Sequence, residues 1–341
     1  MKFVAEYIWI GGAKEIRSKS RTVTIDCNGV QDPDVILKEI LNIELYENWT
    51  YDGSSTGQAD RNSSEIILKP VAVYSDPFRK APNVLVLCET YNTDNTPTET
   101  NSRISALNVF NTNKELKPWF GLEQAFYIME NCKCHPTRIS NKPFGCGGEV
   151  PDEQGQYYCS VGGNNALGRK IAEQAYHLIL EAGITASGMN AEVSPAQWEI
   201  QIGPCEGISA GDQCIIMRYI LQRVSELHNV QISLEPEPLK GHNISGCHIN
   251  FSTKPMRDEN GIDEINKVIE NLSENHESHS RIYGNKNEQS KVFTFGVGSR
   301  NTSIRIPTIV DQNKKGYIED RRPPSNIDPY LVTSLLFSTS T

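Results

Sequence analysis

Apolar and polar residues alternate in several short segments of the first ninety residues, a pattern typical of β-strands. The segments are residues 3–10, 21–25, 64–74 and 83–91. Residues 33–41 instead have the apolar spacing of a short helix. The segment 92–101, NTDNTPTETN, is rich in turn-forming residues and predicts a domain boundary. We therefore expect a small sheet domain with one helix over residues 1–95 and a larger domain over residues 96–341.

Three longer segments of the second domain have helical periodicity. Residues 166–183 repeat apolar residues at helical spacing and end at Gly183, a common helix stop. Residues 212–229 have the same spacing, with Asp212 as the expected N-cap. The run 262–283 is expected to form one further helix. Together with the strands, these helices predict an α+β protein.

Strands of the second domain carry polar groups at every second position. Residues 119–129, WFGLEQAFYIM, place Glu123 and Ala125 on one face of an otherwise apolar strand. Four more strands share this design, with the following polar residues: Gln197, Glu199 and Gln201; His248, Asn250 and Ser252; Ser303 and Arg305; Tyr317, Glu319 and Arg321. Such a set of strands can line one polar cavity. Alternation alone equally allows each charge to lie on a solvated face of its own strand.

A shared cavity would bring together groups suited to phosphoryl transfer. It would contain four carboxylates and one imidazole: Glu123, Glu192, Glu199, Glu319 and His248. These acids would repel one another without cations between them, and oxygen ligands with one histidine suit Mg2+ or Mn2+. Arg300, Arg305 and Arg321 would add planar donors for phosphate or carboxylate. Phosphoryl transfer depends on such positioned charges.

Composition excludes several other classes of protein. The net charge is -9 and the isoelectric point is near 5.4, so nucleic acid is not the expected partner. The chain has nine cysteines, no apolar N-terminal signal and no apolar run of about eighteen residues, which favours a cytoplasmic protein without a membrane segment. Cys132, Cys134, His135 and Cys146 do not have the spacing of a standard zinc site.

Four motifs resemble the signatures of glutamine synthetase in its eukaryotic-type class. They are YDGSSTGQ (51–58), NAEVSPAQWEIQIGPCEGI (190–208), SIRIP (303–307) and KKGYIEDRRP (314–323). The resemblance covers nearly the whole chain. It implies a small N-terminal β-grasp domain and a larger α/β catalytic domain with a strand-lined active-site cavity. It also implies a homo-oligomer of stacked rings whose active sites lie between neighbouring subunits.

The resemblance further implies a reaction in which ATP, L-glutamate and ammonia give glutamine through γ-glutamyl phosphate. Carried over to this sequence, the catalytic residues are Asp52 and Arg300. The metal ligands, for Mg2+ or Mn2+, are Glu123, His248 and Glu319 at one site and Glu192 and Glu199 at a second. The ATP-binding residues are Trp119, Glu199, Asn250, Ser252, Arg257, Arg300, Arg305 and Tyr317. The glutamate-binding residues are Asn243, Arg300 and Arg321.

The sequence also departs from the family pattern. Ala125 stands where the family has the second glutamate of an E-x-E strand, and Ile244 replaces a glycine of the glutamate-binding turn. The loop before Arg300 is shortened, and Glu288 is the acid that remains there. Two hypotheses are therefore carried: a working glutamine synthetase, and an impaired homologue that binds nucleotide and acts as a structural or regulatory partner. A guanidino kinase on the related catalytic fold is disfavoured, because YDGSSTGQ belongs to the synthetase pattern.

Overall fold

The computed structural model describes residues 1–26, 32–131, 142–147, 150–284 and 292–341. The chain divides into two compact units. The first contains residues 1–105 and 177–184, and the second contains residues 106–176 and 185–341. The chain passes between them three times: within α2 (Ser102–Thr112), within α3 (Arg169–Glu181), and again between Ile184 and Thr185.

The first unit is built on a five-stranded sheet with one helix against it. Its elements are β1 (Lys2–Ile10), β2 (Ile16–Thr24), α1 (Pro33–Ile40), β3 (Trp49–Asp52), β4 (Glu65–Ser75) and β5 (Val84–Tyr91). The strand order is β2-β1-β5-β4-β3, with β1 and β5 parallel and the other neighbours antiparallel. The predicted strands and helix are confirmed, and β2 begins at Ile16 rather than at residue 21.

Alternation along β1 builds the core of this unit. Tyr7 and Trp9 lie on one face and are buried together with Leu68 and Val86 of the neighbouring strands. Helix α1 closes this core with the buried Ile40.

The second unit contains an eight-stranded sheet. Its strands are β6 (Trp119–Glu130), β7 (Ala186–Ala191), β8 (Gln197–Glu206), β9 (Val230–Ser233), β10 (Cys247–Ser252), β11 (Phe295–Val297), β12 (Ile304–Ile306) and β13 (Ile318–Asp320). The order is β11-β12-β13-β10-β6-β8-β7, and β9 pairs with β6. All five strands that carry alternating polar groups therefore lie side by side. A common polar cavity requires such an arrangement.

Helices cover the other side of this sheet. They are α4 (Ser209–His228), α5 (Lys254–Arg257), α6 (Ile262–Glu274), α7 (His276–Tyr283), α8 (Thr308–Asn313) and α9 (Pro329–Thr339). Helix α4 packs on β6 and β8, and α9 packs on α4, α6 and α7. None of the helices within the described ranges combines the length and the apolarity needed to cross a bilayer.

Two helix predictions need correction. Helix α4 begins at Ser209, so Asp212 is not its N-cap; its carboxylate is buried and accepts a hydrogen bond of 2.8 Å from the Tyr330 hydroxyl. The predicted helix 262–283 is two helices that meet at Asn275. The Asn275 side chain donates to the carbonyl of Asn271, and this local hydrogen bond competes with a continuous helix.

Candidate active site

Strand pairing brings three predicted metal ligands together. His248 of β10 lies opposite Glu123 of β6, and Asn250 lies opposite Glu319 of β13. The Nδ1 of His248 is 3.8 Å from Oε2 of Glu123 and 3.6 Å from Oε1 of Glu319. One ligand atom from each of these three residues lies within 4.8 Å of the other two. Two carboxylates and an imidazole at this separation fit a hard divalent ion such as Mg2+ or Mn2+.

Neighbouring donors contact both acids of this cluster. Asn250 Nδ2 donates to Glu123 Oε1 at 2.8 Å, and Arg305 Nη1 donates to Glu319 Oε2 at 3.0 Å. Arg321 also donates to Glu319. Burial alone would raise the pKa of Glu123, but its contacts with His248 and Asn250 bring that pKa below the usual value. Glu123 can therefore offer a charged oxygen ligand at neutral pH.

A glycine makes room for the imidazole. A Cβ added at Gly246 would lie 2.6 Å from Nε2 of His248. Any side chain at this position would force the ring to move from where it lies. The sequence Gly246-Cys247-His248 therefore contains both the ligand and the space that it needs.

A second pair of acids lies beside the first cluster in a different environment. Glu199 of β8 is opposite Ala125 of β6, so a methyl group faces it. Burial, and then the nearby carboxylates of Glu123 and Glu192, raise the pKa of Glu199 to about 7. Burial also raises the pKa of Glu192. Here the predicted ligands carry charge that the surrounding protein does not neutralise.

Side-chain amides hold this second pair in place. Gln201 Nε2 donates to Glu199 Oε1 at 2.6 Å and to Asn190 Oδ1 at 2.7 Å. Asn190 Nδ2 in turn donates to Glu192 Oε1 at 3.1 Å. Two carboxylates are thus oriented by neutral donors, which leaves room for a cation to supply the missing positive charge.

The first of two cavities extends from Glu123. It has a volume of about 370 Å³ and its lining includes Trp119, Glu123, Asn250, Ser252, Arg257 and Tyr317. The guanidinium of Arg257 lies over the Trp119 ring, 4.0 Å from its centroid. Arg257 is fixed there by hydrogen bonds to Ser252 Oγ at 2.8 Å and to the carbonyl of Lys117 at 2.8 Å. Five of the eight residues predicted to bind ATP thus line one cavity.

A second cavity extends from His248. It has a volume of about 630 Å³ and its lining includes Glu235, Glu237, Ile244, Ser245, His248 and Arg321. Ile244 is 46% exposed on its wall, at the position where the family has glycine. The nearby Asn243 donates to Gln197 Oε1 at 3.0 Å, and its carbonyl accepts from the Tyr127 hydroxyl at 2.7 Å. The three-ligand cluster therefore contributes one residue to each cavity.

Two further predicted arginines have different surroundings. The Nε of Arg305 is buried and has no hydrogen-bond partner among the described residues. A buried donor of this kind indicates a ligand that completes the site. Arg300 is exposed, and its guanidinium lies 5.6 Å from the centre of the Tyr158 ring. Burial raises the pKa of Glu192, and the charge of Arg300 partly opposes that effect.

Asp52 belongs to the first unit, where it ends β3 and caps the short turn that follows. Its carboxylate accepts hydrogen bonds of 2.7 Å from the hydroxyls of Ser54 and Ser55. These bonds lower the pKa of Asp52 to about 2. Asp52 is therefore a fixed negative charge at neutral pH.

Some predictions lie outside the described residues: Cys132, Cys134 and His135 of the rejected zinc site, Glu288 and the shortened loop. Sequence reasoning also missed four buried polar residues behind the site: Gln124, Arg218, Asp320 and Arg322. The alternation that selected Glu123, Glu319 and Arg321 places three of the four on the opposite face. The adjacent charges in the sequence Glu-Asp-Arg-Arg were the available signal.

Comparison with known proteins identifies the family of this chain. A model of the glutamine synthetase β-grasp domain matches residues 11–93, and a model of the glutamine synthetase catalytic domain matches residues 105–280. The chain belongs to the glutamine synthetase family. It is 44% identical to the glutamine synthetase of Kluyveromyces lactis over 347 residues, which are 98% of this chain and 88% of that protein.

Plant members of the glutamine synthetase family are equally similar. A chloroplastic glutamine synthetase of Zea mays is 44% identical over 99% of this chain and 79% of its own length. Cytosolic isozyme 1-1 of Oryza sativa subsp. japonica is 42% identical over 99% of this chain and 94% of its own length. These relatives confirm the eukaryotic-type resemblance and the α+β fold with a β-grasp domain. They give no support to the hypothesis of an impaired homologue.

Proposed function

We propose that this chain is an active glutamine synthetase that joins ammonia to L-glutamate at the expense of ATP. The observation that carries this proposal is the arrangement around His248. Two cavities extend from a cluster of two carboxylates and an imidazole, and arginines contact that cluster. Phosphoryl transfer needs two substrates held on either side of a charged centre.

The cluster is proposed as the main metal site. Glu123, His248 and Glu319 would hold one divalent ion, Mg2+ or Mn2+, and Glu192 and Glu199 would hold a second. The ions supply positive charge that neutralises the phosphate oxygens during transfer. Because Ala125 offers no ligand, we propose that the second position binds its ion more weakly than the first.

The first cavity is proposed as the ATP site. Trp119 and Tyr317 would face the nucleotide base, with Asn250, Ser252 and Arg257 at its edges. The phosphates would then extend towards Glu123 and Glu199. The orphan Nε of Arg305 supports this assignment, because a phosphate oxygen would give that buried donor a partner. Arg300 would bind the same phosphates.

The second cavity is proposed as the glutamate site. Arg321, Arg300 and Asn243 would bind the amino acid and its phosphorylated form. Arg321 already contacts Glu319, so the substrate would lie next to the metal cluster. Ile244 narrows this cavity relative to the family pattern and adds an apolar surface to it.

The proposed reaction has two steps. The γ-carboxylate of glutamate attacks the terminal phosphorus of ATP, and ADP leaves. This converts a poor acyl electrophile into γ-glutamyl phosphate, an acyl group with a good leaving group. Ammonia then attacks the carbonyl carbon of the γ-carboxyl group, phosphate leaves, and the nitrogen loses one proton to the medium to give glutamine. The arginines stabilise the charge on the transferred phosphoryl group in both steps.

We propose a stacked-ring homo-oligomer in which Asp52 of one subunit binds ammonium in the active site of the neighbouring subunit. The low pKa of Asp52, about 2, favours this role over that of a strong base, because an acid this strong holds a cation better than it removes a proton. We also propose a cytoplasmic location. The domain boundary at residue 95 stays a prediction.

A coupled assay tests the proposal. Purified protein should form glutamine only when ATP, glutamate, ammonia and either Mg2+ or Mn2+ are all present. Release of ADP without glutamine would instead favour a nucleotide-binding homologue. No turnover with either metal ion would contradict the proposed function.

A further inference from the structure

The strands that carry the metal cluster have a second set of polar residues on their opposite face. Glu123 is followed by Gln124, and Glu319 is followed by Asp320. Because neighbouring residues of a strand point to opposite faces, Gln124 and Asp320 point away from the cluster. Both side chains are fully buried. Each is held by an arginine.

Arg218 of helix α4 holds the strand that carries Glu123. Its Nε and Nη2 donate to Gln124 Oε1 at 2.9 and 2.7 Å. The same guanidinium donates to the carbonyl of Ser325 at 3.1 Å and to the carbonyl of Ile327 at 2.7 Å. Gln124 also donates to the Ser325 carbonyl at 2.9 Å. One buried arginine therefore joins β6 to the segment that follows β13.

Arg322 holds the strand that carries Glu319. Its Nε and Nη2 donate to the two carboxylate oxygens of Asp320 at 2.8 and 2.7 Å, a bidentate pair. The hydroxyl of Tyr283, on helix α7, donates to the same carboxylate at 3.1 Å. Strand β13 is only three residues long, so few backbone hydrogen bonds fix it. The Asp320–Arg322 pair ties this short strand to the helix behind it.

We propose that Arg218 and Arg322 are positioning residues that set the separation of Glu123 and Glu319 before the metal ion binds. Each acts through the residue next to a proposed ligand, and neither reaches the cluster. Buried ion pairs add little net stability but restrict geometry, and outer hydrogen bonds of this kind affect metal affinity strongly. The inference rests on the proposed metal site.

Lysine substitutions separate positioning from stability. Arg322→Lys and Arg218→Lys keep the positive charge but lose the planar fork that fixes the partner. Arg103→Lys is the matched control. Arg103 is also buried and donates to Glu89 at 2.8 Å, but both residues belong to the first unit and neither is part of the sheet that carries the cluster. All three changes should lower the melting temperature.

The experiment measures Mn2+ binding to the full chain without substrates, by the electron paramagnetic resonance signal of free Mn2+. We expect Arg218→Lys and Arg322→Lys each to weaken Mn2+ binding about tenfold or more, and Arg103→Lys to leave it unchanged. Equal affinities in all three variants would overturn the inference. If Arg322→Lys does not fold, Tyr283→Phe tests the role of β13 instead. Mn2+ binding weaker than in the unmodified protein, by less than about tenfold, supports the inference, and unchanged Mn2+ affinity overturns it.

Two reference proteins keep this result distinct from a failure of the proposed function. Glu319→Gln removes a proposed ligand and should lose the tight Mn2+ site. If the unmodified protein binds no Mn2+, or if Glu319→Gln binds it as tightly as the unmodified protein, the proposed metal site is wrong and the inference fails with it. If the unmodified protein binds Mn2+ tightly and only Glu319→Gln weakens that binding, the proposed metal site stands and the inference about Arg218 and Arg322 is wrong.

Discussion

The two faces of the eight-stranded sheet are built from the same strands but differ in how completely their polar groups are paired. On the cavity face, the pKa of Glu199 is raised to about 7 and the Nε of Arg305 has no described partner. On the helix face, Asp320 and Arg322 satisfy each other in a bidentate pair. Adjacent residues of one strand therefore have different roles. One side chain lies on the cavity face, where groups lack protein partners, and the next lies on the helix face, where groups are paired.

This difference teaches where the protein's stability and its chemistry are located. Buried polar groups without partners cost free energy, so the cavity face destabilises the folded state when no ligand is bound. A ligand that pairs those groups should stabilise the folded state. The helix face needs no ligand, and it gives the cavity face a rigid support.

The largest effect is expected for a ligand on the cavity face. Glu319→Gln should lower glutamine formation by roughly 100-fold or more, since even outer-contact losses cost 10- to 100-fold at metal sites. The amide is the same size as the acid but carries no charge. The assay is the rate of glutamine formation at saturating substrates, with the exposed Glu259→Gln as control. Similar rates for the two variants would remove Glu319 from the site.

The second effect concerns His279 on the helix face. Burial, then the charge of Arg322, lowers the pKa of His279 from 6.5 to about 4, against the smaller opposing effect of Asp320. His276 and Arg322 both disfavour its protonation, and its ring nitrogens contact Tyr283 and Thr339. In the unfolded chain His279 binds its proton near pH 6.5, so folding stability is full above that pH and falls as the pH drops towards 4.

The pH dependence of unfolding measures this effect. Between pH 7.5 and pH 5, the folded state should lose about 2 kcal/mol through His279. Urea unfolding at the two pH values should therefore show a smaller loss for His279→Gln than for the unmodified protein. His177→Gln, at an exposed position of α3, is the control and should behave like the unmodified protein. An unchanged pH dependence in His279→Gln would contradict the burial of a neutral imidazole.

The third effect concerns the methyl group that faces Glu199. Ala125→Glu would place a third carboxylate opposite Glu199 and beside Glu192. We expect it to tighten binding of a second Mn2+ by roughly tenfold, and to lower the melting temperature of the metal-free protein by added repulsion. Calorimetric titration measures both the number of ions bound and their affinity. If the affinity for the second Mn2+ does not change, the missing carboxylate at Ala125 is not the cause of weak binding at Glu192 and Glu199.

Sequence reasoning predicted the cavity face well and the helix face poorly. Alternation selected Glu123, Glu199 and Arg321 as residues of polar strand faces. The sheet order places β6, β8 and β13, the strand that ends just before Arg321, in one sheet. Register is not visible in alternation. The pairing of His248 with Glu123 could be learned only from the structure, because it depends on which strands pair and at which residues.

The helix face was missed for a physical reason. Gln124 and Asp320 occupy positions where alternation predicts apolar residues. The partner of Gln124 comes from a distant part of the chain, whereas Asp320 pairs with Arg322 just after the end of β13. Arg218 lies 94 residues after Gln124. Local patterns also failed at Asp212 and Asn275, where a side-chain hydrogen bond replaced the expected cap or helix continuation.

Oxygen transfer tests the central claim most directly. If the two cavities hold ATP and glutamate around the cluster of Glu123, His248 and Glu319, glutamate labelled with 18O in its γ-carboxylate should pass one labelled oxygen to the phosphate released with glutamine. This transfer should require ATP, ammonia and Mg2+ or Mn2+, and Glu319→Gln should abolish it. Released phosphate without 18O, or no glutamine under any of these conditions, would contradict the account.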